Sequence, residues 1–186
     1  MRPPPLVRLL VSSLLVLVAC KGADAPGADA TSAGPTASAG GGATVEPDTT
    51  PEGTLGRFLA ACVRAGDEAT RAAALRDIQA LVKPLVADDD WTRRPSNRTF
   101  VERLATQPWI FRSYAPGATP DNAYAASPDF QPEITSRREE GGALKLWIRS
   151  GGADSPRPVS LVRPGGQDRW LIQEWSSLYV EVRRPR

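Results

Sequence analysis

The apolar positions between residues 50 and 66 predict an amphipathic helix. They recur three and four positions apart, as residues on one face of a helix do, and they comprise Leu55, Phe58, Leu59, Cys62 and Val63. The preceding Thr50-Pro51-Glu52 places a capping threonine, a proline and an acid in the order that favours a helix start. Cys62 is therefore expected to be a buried, small apolar side chain.

A second helix is predicted directly after Gly66. Asp67 is expected to cap it, and Pro84 is expected to end or kink it, because proline disrupts a helix interior. The inner side of this helix would carry Leu75, Ile78, Leu81, Val82 and Leu85. The run Asp88-Asp89-Asp90 that follows is expected to be a solvated loop.

A third helix is predicted near residue 99. Thr99 and Glu102 have the spacing of a capping box, and the helix should stop near Gln107, before Pro108. Residues 109–114 are apolar and fit either a final helical turn or a short strand. Residues 115–129 contain three prolines and a glycine and predict a long loop.

The pattern changes to short β-rich runs after Phe130. Turn signals separate runs at residues 133–138, 143–149, 157–163 and 169–174. Alternation at Leu178, Val180 and Val182 predicts one more strand. Strands so close in sequence pair as an antiparallel meander. We therefore predict an α+β fold with about three N-terminal helices packed on a curved antiparallel sheet of four to five strands.

The N-terminal twenty residues have the layout of an export signal. Two arginines precede an apolar run at residues 9–19, which is shorter than the roughly 20 apolar residues of a membrane-spanning helix. Leu17-Val18-Ala19-Cys20 resembles the bacterial lipobox. The resemblance implies removal of the signal, residues 1–19, and attachment of lipid to Cys20. Two or more acyl chains would make the membrane anchoring stable.

Residues 21–49 consist mainly of Ala, Gly, Ser, Thr and Pro and contain no aromatic residue. Such a composition buries too little apolar surface to offset the entropy of ordering. With Cys20 these residues form a predicted disordered linker with an average span of about 30 Å, which leaves residues 50–186 as a single domain. The expected location is the bacterial cell envelope, on the periplasmic face of the outer membrane or at the cell surface, since Lys21 occupies the position where Asp would signal retention.

A second resemblance concerns the folded part of the chain. Its capped helix, the turn Ala65-Gly66-Asp67 and its second helix resemble the start of nuclear-transport-factor-two-like, or SnoaL-like, domains. The resemblance implies a cone-shaped sheet in which a carboxylate can act as acid or base. The run from Gly151 to Pro158, together with Glu174-Trp175-Ser176-Ser177-Leu178, is similar to domains of unknown function.

The composition argues against several kinds of chemistry. The chain has no histidine, the commonest general base and metal ligand, and Cys62 would be its only free thiol after lipidation. No metal and no other cofactor is expected. The 23 basic residues are interspersed with 21 acidic residues, whereas nucleic-acid binding needs a concentrated basic patch.

Three residues are candidates for function. Trp147 alternates with Leu146 and Ile148, so it shares a strand face with Arg149 and is expected to be exposed unless a helix or loop covers it. Glu174 shares a predicted face with Ile172 and would point toward an apolar groove, unless it is an edge carboxylate paired with an arginine. The pattern favours a non-catalytic domain that binds an envelope protein or a small ligand; the alternative is a small SnoaL-like enzyme using Glu174.

Overall fold

The computed structural model describes residues 49–86 and 89–186. Within them, helices α1 (Pro51–Arg64), α2 (Glu68–Leu81), α3 (Arg98–Thr106) and α4 (Trp109–Arg112) precede a four-stranded sheet. The strands are β1 (Ile134–Glu140), β2 (Ala143–Ile148), β3 (Arg157–Val162) and β4 (Leu171–Glu174). The predicted α+β fold is confirmed. The predicted signal, Cys20, the linker up to Asp48 and also Asp88 lie outside the described residues.

The first two helices begin where their caps predict. The Thr50 side chain accepts a hydrogen bond from the Gly53 amide (3.1 Å), and the Asp67 carboxylate accepts one from the Ala69 amide (2.9 Å). Both bonds satisfy amides that lack a partner within the helix. The predicted stripe of α1 is buried.

One residue predicted on the inner side of α2 lies outside it. Leu85 is 73% exposed, whereas Ile78 and Leu81 are fully buried. The helix ends at Leu81, so Leu85 no longer follows its periodicity. The chain instead turns at Val82, where the Lys83 amide donates to the carbonyl of Ile172 (2.7 Å).

The third helix begins at Arg98, and no side chain caps its start. The capping box predicted at Thr99 is wrong because Thr99 already lies within the helix. Asn97 occupies the cap position, but its side-chain amide donates to the carbonyl of Trp91 (2.8 Å). Residues 109–112 are helical, which decides between the two conformations that their sequence allowed.

The sheet is antiparallel throughout, in the order β1-β2-β3-β4. One face lies on the core through buried side chains from the two central strands: Leu144, Leu146, Ile148, Val159 and Leu161. The opposite face carries the residues that alternate with them. We call this the outer sheet face, and its members are Ser136, Arg138, Lys145, Trp147, Pro158 and Ser160.

The predicted fifth strand does not form. Ser176–Tyr179 is a 3₁₀ turn, and the chain takes a positive φ of 50° at Glu181, which breaks the extended conformation. The free edge of β4 is already occupied at Ile172 by a bridge to Val82. The side chain of Leu178, within this turn, is buried, and the Leu178 carbonyl accepts a hydrogen bond from the Tyr114 hydroxyl (2.8 Å).

The centre of the core is aromatic. The ring centroid of Phe100 lies 5.4 Å from that of Tyr179. It lies 5.6 Å from the centroids of three further rings, those of Trp91, Phe111 and Trp175. Tilted and edge-to-face pairs of this kind contribute beyond the apolar area that they bury. Among the described residues, no helix has the length and apolar character needed to cross a membrane.

Candidate functional site

Trp147 lies near the middle of the outer sheet face. Strand β2 places it opposite Ser136 of β1 and Pro158 of β3. Its neighbours Leu146 and Ile148 are fully buried on the core side, whereas Trp147 is half-buried. The alternation expected from the sequence is therefore present, and the indole contributes an accessible aromatic surface to an otherwise polar face.

Two cations flank this indole. The guanidinium carbon of Arg138 lies 5.9 Å from the centroid of the Trp147 ring, and the ammonium nitrogen of Lys145 lies 5.8 Å from it. Both distances fall within the range of cation–π attraction. Lys145 also pairs with Glu140 (3.1 Å). Arg138 forms no ion pair within the described part of the chain, so its charge is available to a partner.

Arg149 lies beyond the end of β2. Its Nε donates to a carboxylate oxygen of Glu133 (2.9 Å), and its side chain is 62% exposed. It also lines a small hollow of about 180 Å³ together with Tyr114 and the loop at residues 115–119. Arg149 is therefore already paired with Glu133, and Arg138 and Lys145 are the cations that approach the Trp147 ring. The sequence analysis named Trp147 but not Arg138, because only the register of β1 against β2 brings Arg138 beside the Trp147 ring.

Glu174 is exposed, and one of its carboxylate oxygens accepts a hydrogen bond from the Ser176 amide (2.7 Å). It lies at the β4 edge of the outer sheet face, beside Ser160. Ile172 pairs with Leu161 and Glu174 pairs with Ser160, so Gln173 is the extra residue of a β-bulge. The bulge puts Ile172 in the core and Glu174 on the opposite face, which corrects the prediction that they share one.

Cys62 is a free thiol with no exposed surface. Burial among apolar side chains raises its pKa well above the ordinary value, because it disfavours the thiolate. A buried neutral thiol is a poor nucleophile and a poor metal ligand. Across residues 49–86 and 89–186, no three histidine, cysteine or acidic side chains are grouped so that they could hold a metal ion.

The loop after α2 is more ordered than its acidic sequence predicts. Asp89 pairs with Arg94, and both side chains are at least 85% buried. Asp89 also accepts a hydrogen bond from the Leu85 amide (2.9 Å). Asp90 caps the next 3₁₀ turn through Thr92, whose side-chain hydrogen bond is the main cause of the lowered pKa of Asp90. The solvated-loop prediction is therefore wrong for Asp89.

A groove of about 630 Å³ lies between α2 and this loop, and the sequence did not predict it. We call it the α2 groove; Ala72, Leu75, Arg76 and Gln79 line it from the helix, and Pro84 and residues 89–92 line it from the loop. Trp91 forms part of its wall, and the indole nitrogen of Trp91 has no hydrogen-bond partner among the described residues. The signal that could have indicated it is the apolar pair Leu85-Val86 directly after Pro84, which cannot lie on the buried side of a helix that has already ended.

Comparison with known families gives one match. A family model described as "Domain of unknown function (DUF6935)" matches residues 43–186. No curated protein and no solved structure matches the chain at a significant level.

Proposed function

We propose that this chain, which belongs to the DUF6935 family, is a lipid-anchored binding domain of the bacterial cell envelope and is not an enzyme. The anchor part of the proposal is supported by the export signal and by Leu17-Val18-Ala19-Cys20. In this proposal, residues 20–49 serve as the lipidated linker and residues 50–186 as the domain that meets a partner.

The binding part of the proposal depends on one observation, the setting of Trp147. A half-buried indole with Arg138 beside its ring combines the aromatic and arginine side chains that are enriched at protein interfaces, and Lys145 adds a second positive charge beside the ring. Because Arg138 has no carboxylate partner within the described residues, a matching partner surface carries acidic groups around an apolar or aromatic patch. A partner carboxylate would then pair with Arg138 while the indole buries apolar area.

The enzyme alternative uses Glu174. Catalysis by a carboxylate of raised pKa needs an apolar enclosure, and Glu174 is exposed with a hydrogen bond to the Ser176 amide. These surroundings favour a capping role for Glu174 at the Ser176–Tyr179 turn. They support the binding proposal over the enzymatic one.

The test is site-directed cross-linking in intact envelopes. A photo-cross-linking residue in place of Ser136, opposite Trp147 on the outer sheet face, should give a discrete adduct that the same residue in place of the exposed Ala73 of α2 does not give. Adding Trp147→Ala or Arg138→Ala should weaken the adduct about tenfold or more, since aromatic and arginine side chains carry much of the energy of interfaces. Arg112→Ala, an exposed arginine of α4, is the matched control and should leave it unchanged.

Folding must be measured in the same variants. Trp147→Ala should cost about 1–2 kcal/mol of unfolding free energy, because it removes a half-buried ring and two exposed cation–π contacts. Glu174→Gln should leave the adduct unchanged. The binding proposal would be rejected by the opposite pair of results. These are a stable Glu174→Gln protein that has lost its function in the cell and a Trp147→Ala protein that is fully functional, and they would favour the enzymatic alternative.

A further inference from the structure

We infer that the α2 groove is a binding site for a single-chain amphiphile, an aliphatic chain that ends in a carboxylate. The site is separate from the outer sheet face. Its volume of about 630 Å³ lies within the range of small-molecule sites, which is roughly 300–1,000 Å³. The chemistry of its walls decides which ligand fits.

The accessible walls of the groove are aliphatic, because Trp91, its one aromatic lining residue, is fully buried. Ala72 and Leu75 lie on one side, and Pro84 and Trp91 lie on the other. Beside Pro84, Leu85 and Val86 are 73% and 67% exposed, and they are the two most exposed large apolar side chains in the described part of the chain. Neither of them lines the groove itself, and they form an exposed apolar segment directly after Pro84 in the chain.

The polar groups at the groove already have partners within the described part of the protein, with two exceptions: the indole nitrogen of Trp91, which is buried, and the guanidinium of Arg76. The side-chain amide of Gln79 donates to the carbonyl of Asp89 (2.6 Å) and accepts from the Trp91 amide (3.3 Å). The Asp89 carboxylate is paired with Arg94, and the Asp90 carboxylate is bound by Thr92. Because these groups are used within the protein, the groove favours a ligand with an apolar body over a sugar or a nucleotide.

Of these two groups, only Arg76 is exposed. It lies one turn of helix after Ala72, lines the groove and is exposed, and it forms no ion pair or hydrogen bond with any described residue. An unpaired guanidinium at the rim of an apolar groove complements a ligand with an apolar body and one anionic end. A carboxylate fits because guanidinium binds it through two parallel hydrogen bonds. The aliphatic chain would then lie along Ala72, Leu75 and Pro84.

The test uses dodecanoate, below its micelle-forming concentration, and the full chain carrying Cys20→Ser so that no attached lipid competes. Isothermal titration calorimetry should show one binding site per chain. Ala72→Trp should weaken binding at least tenfold by filling the groove. Ala73→Trp is the matched control, because Ala73 is equally exposed on α2 but lies about 100° further around the helix and does not line the groove.

The role of the charge is tested separately. Arg76→Gln should weaken dodecanoate binding about threefold to fivefold, the range of an exposed ion pair, and should leave the binding of dodecanol unchanged. Equal loss for the acid and the alcohol would overturn the assignment of Arg76. Absence of dodecanoate binding would overturn the site itself, as it would if the groove binds a protein segment instead. Undiminished binding to the Ala72→Trp chain would also overturn it, because dodecanoate would then bind elsewhere, for example to the apolar N-terminal run.

Discussion

At the scale of single residues, Gly151 is needed for a close backbone approach as well as for the turn after β2. A Cβ atom built on Gly151 would lie 1.7 Å from the carbonyl oxygen of Ala118, so no other residue fits without moving the backbone. The Gly151 amide donates to the carbonyl of Ser113 (2.8 Å). This hydrogen bond and the close approach of Gly151 to Ala118 place the segment after β2 against residues 113–118. The sequence identified a turn here but not the close approach that requires glycine.

We predict that Gly151→Ala lowers the free energy of unfolding by about 3 kcal/mol, the upper part of the range for overpacking. Gly165→Ala is the matched control, because a Cβ atom there meets nothing within 4 Å and the backbone has an ordinary φ. It should cost no stability, since alanine also restricts the unfolded chain. Urea denaturation of both variants measures the difference. Equal midpoints would show that the backbone around Ala118 shifts freely and that the contact has no structural role.

Glu174 illustrates the limit of strand alternation at the same scale. Alternation across an uninterrupted strand puts Glu174 on the face of Ile172. One extra residue, Gln173, reverses the side on which every later residue lies. Nothing in the local sequence marks a bulge at Gln173, because the bulge arises from the pairing of β4 with β3.

At the scale of secondary-structure elements, the caps separate what local chemistry controls from what packing controls. Asp67 caps α2 as predicted, because its side chain needs only the amide of Ala69 two residues later. The box predicted at Thr99 does not form, because Asn97 binds the carbonyl of Trp91 and α3 begins one residue before Thr99. A contact distant in sequence thus sets the start of α3.

Substitutions of Asp67 and Thr99 are expected to change the stability of the domain by different amounts. Asp67→Ala should destabilise the domain by about 1 kcal/mol, the usual cost of losing a capping side chain. Thr99→Ala should change stability by less than about 0.5 kcal/mol, because Thr99 is exposed within α3 and caps nothing. Thermal unfolding followed by circular dichroism measures both. A loss of 1 kcal/mol or more in Thr99→Ala would show that the capping box forms after all.

At the scale of the whole molecule, the proposed function combines a folded domain with an N-terminal anchor that lies outside the described residues. In this proposal, the resemblance to the lipobox implies that Cys20 is the attachment point, and the composition of residues 21–49 predicts a flexible connection. The resemblance to SnoaL-like domains stays a prediction. The membership in the DUF6935 family covers residues 43–186 and so includes the end of the linker.

The anchor predicts a specific effect of one substitution. Cys20→Ser should abolish incorporation of labelled lipid and leave the unprocessed precursor, because the lipobox implies that lipid is joined to this thiol before cleavage. Cys62→Ala is the matched control: Cys62 is buried in the domain, so its loss should leave lipid incorporation intact. Metabolic labelling followed by electrophoresis tests both. A Cys20→Ser chain that matures to the size of the wild type would show that the lipobox interpretation is wrong.

The sequence by itself determined the α+β class, the first two helices with their caps, the antiparallel pairing and the core side of β2. These features depend on hydrophobic periodicity and on hydrogen bonds within a few residues, which are properties of a short stretch of chain. The side of β2 on which Trp147 lies follows for the same reason, since Trp147 only had to alternate with Leu146 and Ile148.

Only the tertiary structure decided the pairing of Arg138 with Trp147, the exposed position of Glu174, the loss of the fifth strand and the existence of the α2 groove. Each depends on elements far apart in sequence: the register of β1 on β2, the bulge of β4 against β3, the bridge from Val82 to Ile172, and the loop held by Asp89 and Arg94. Local patterns carry no information on register or on long-range ion pairs. Surfaces built from several elements therefore emerge only when the chain is folded.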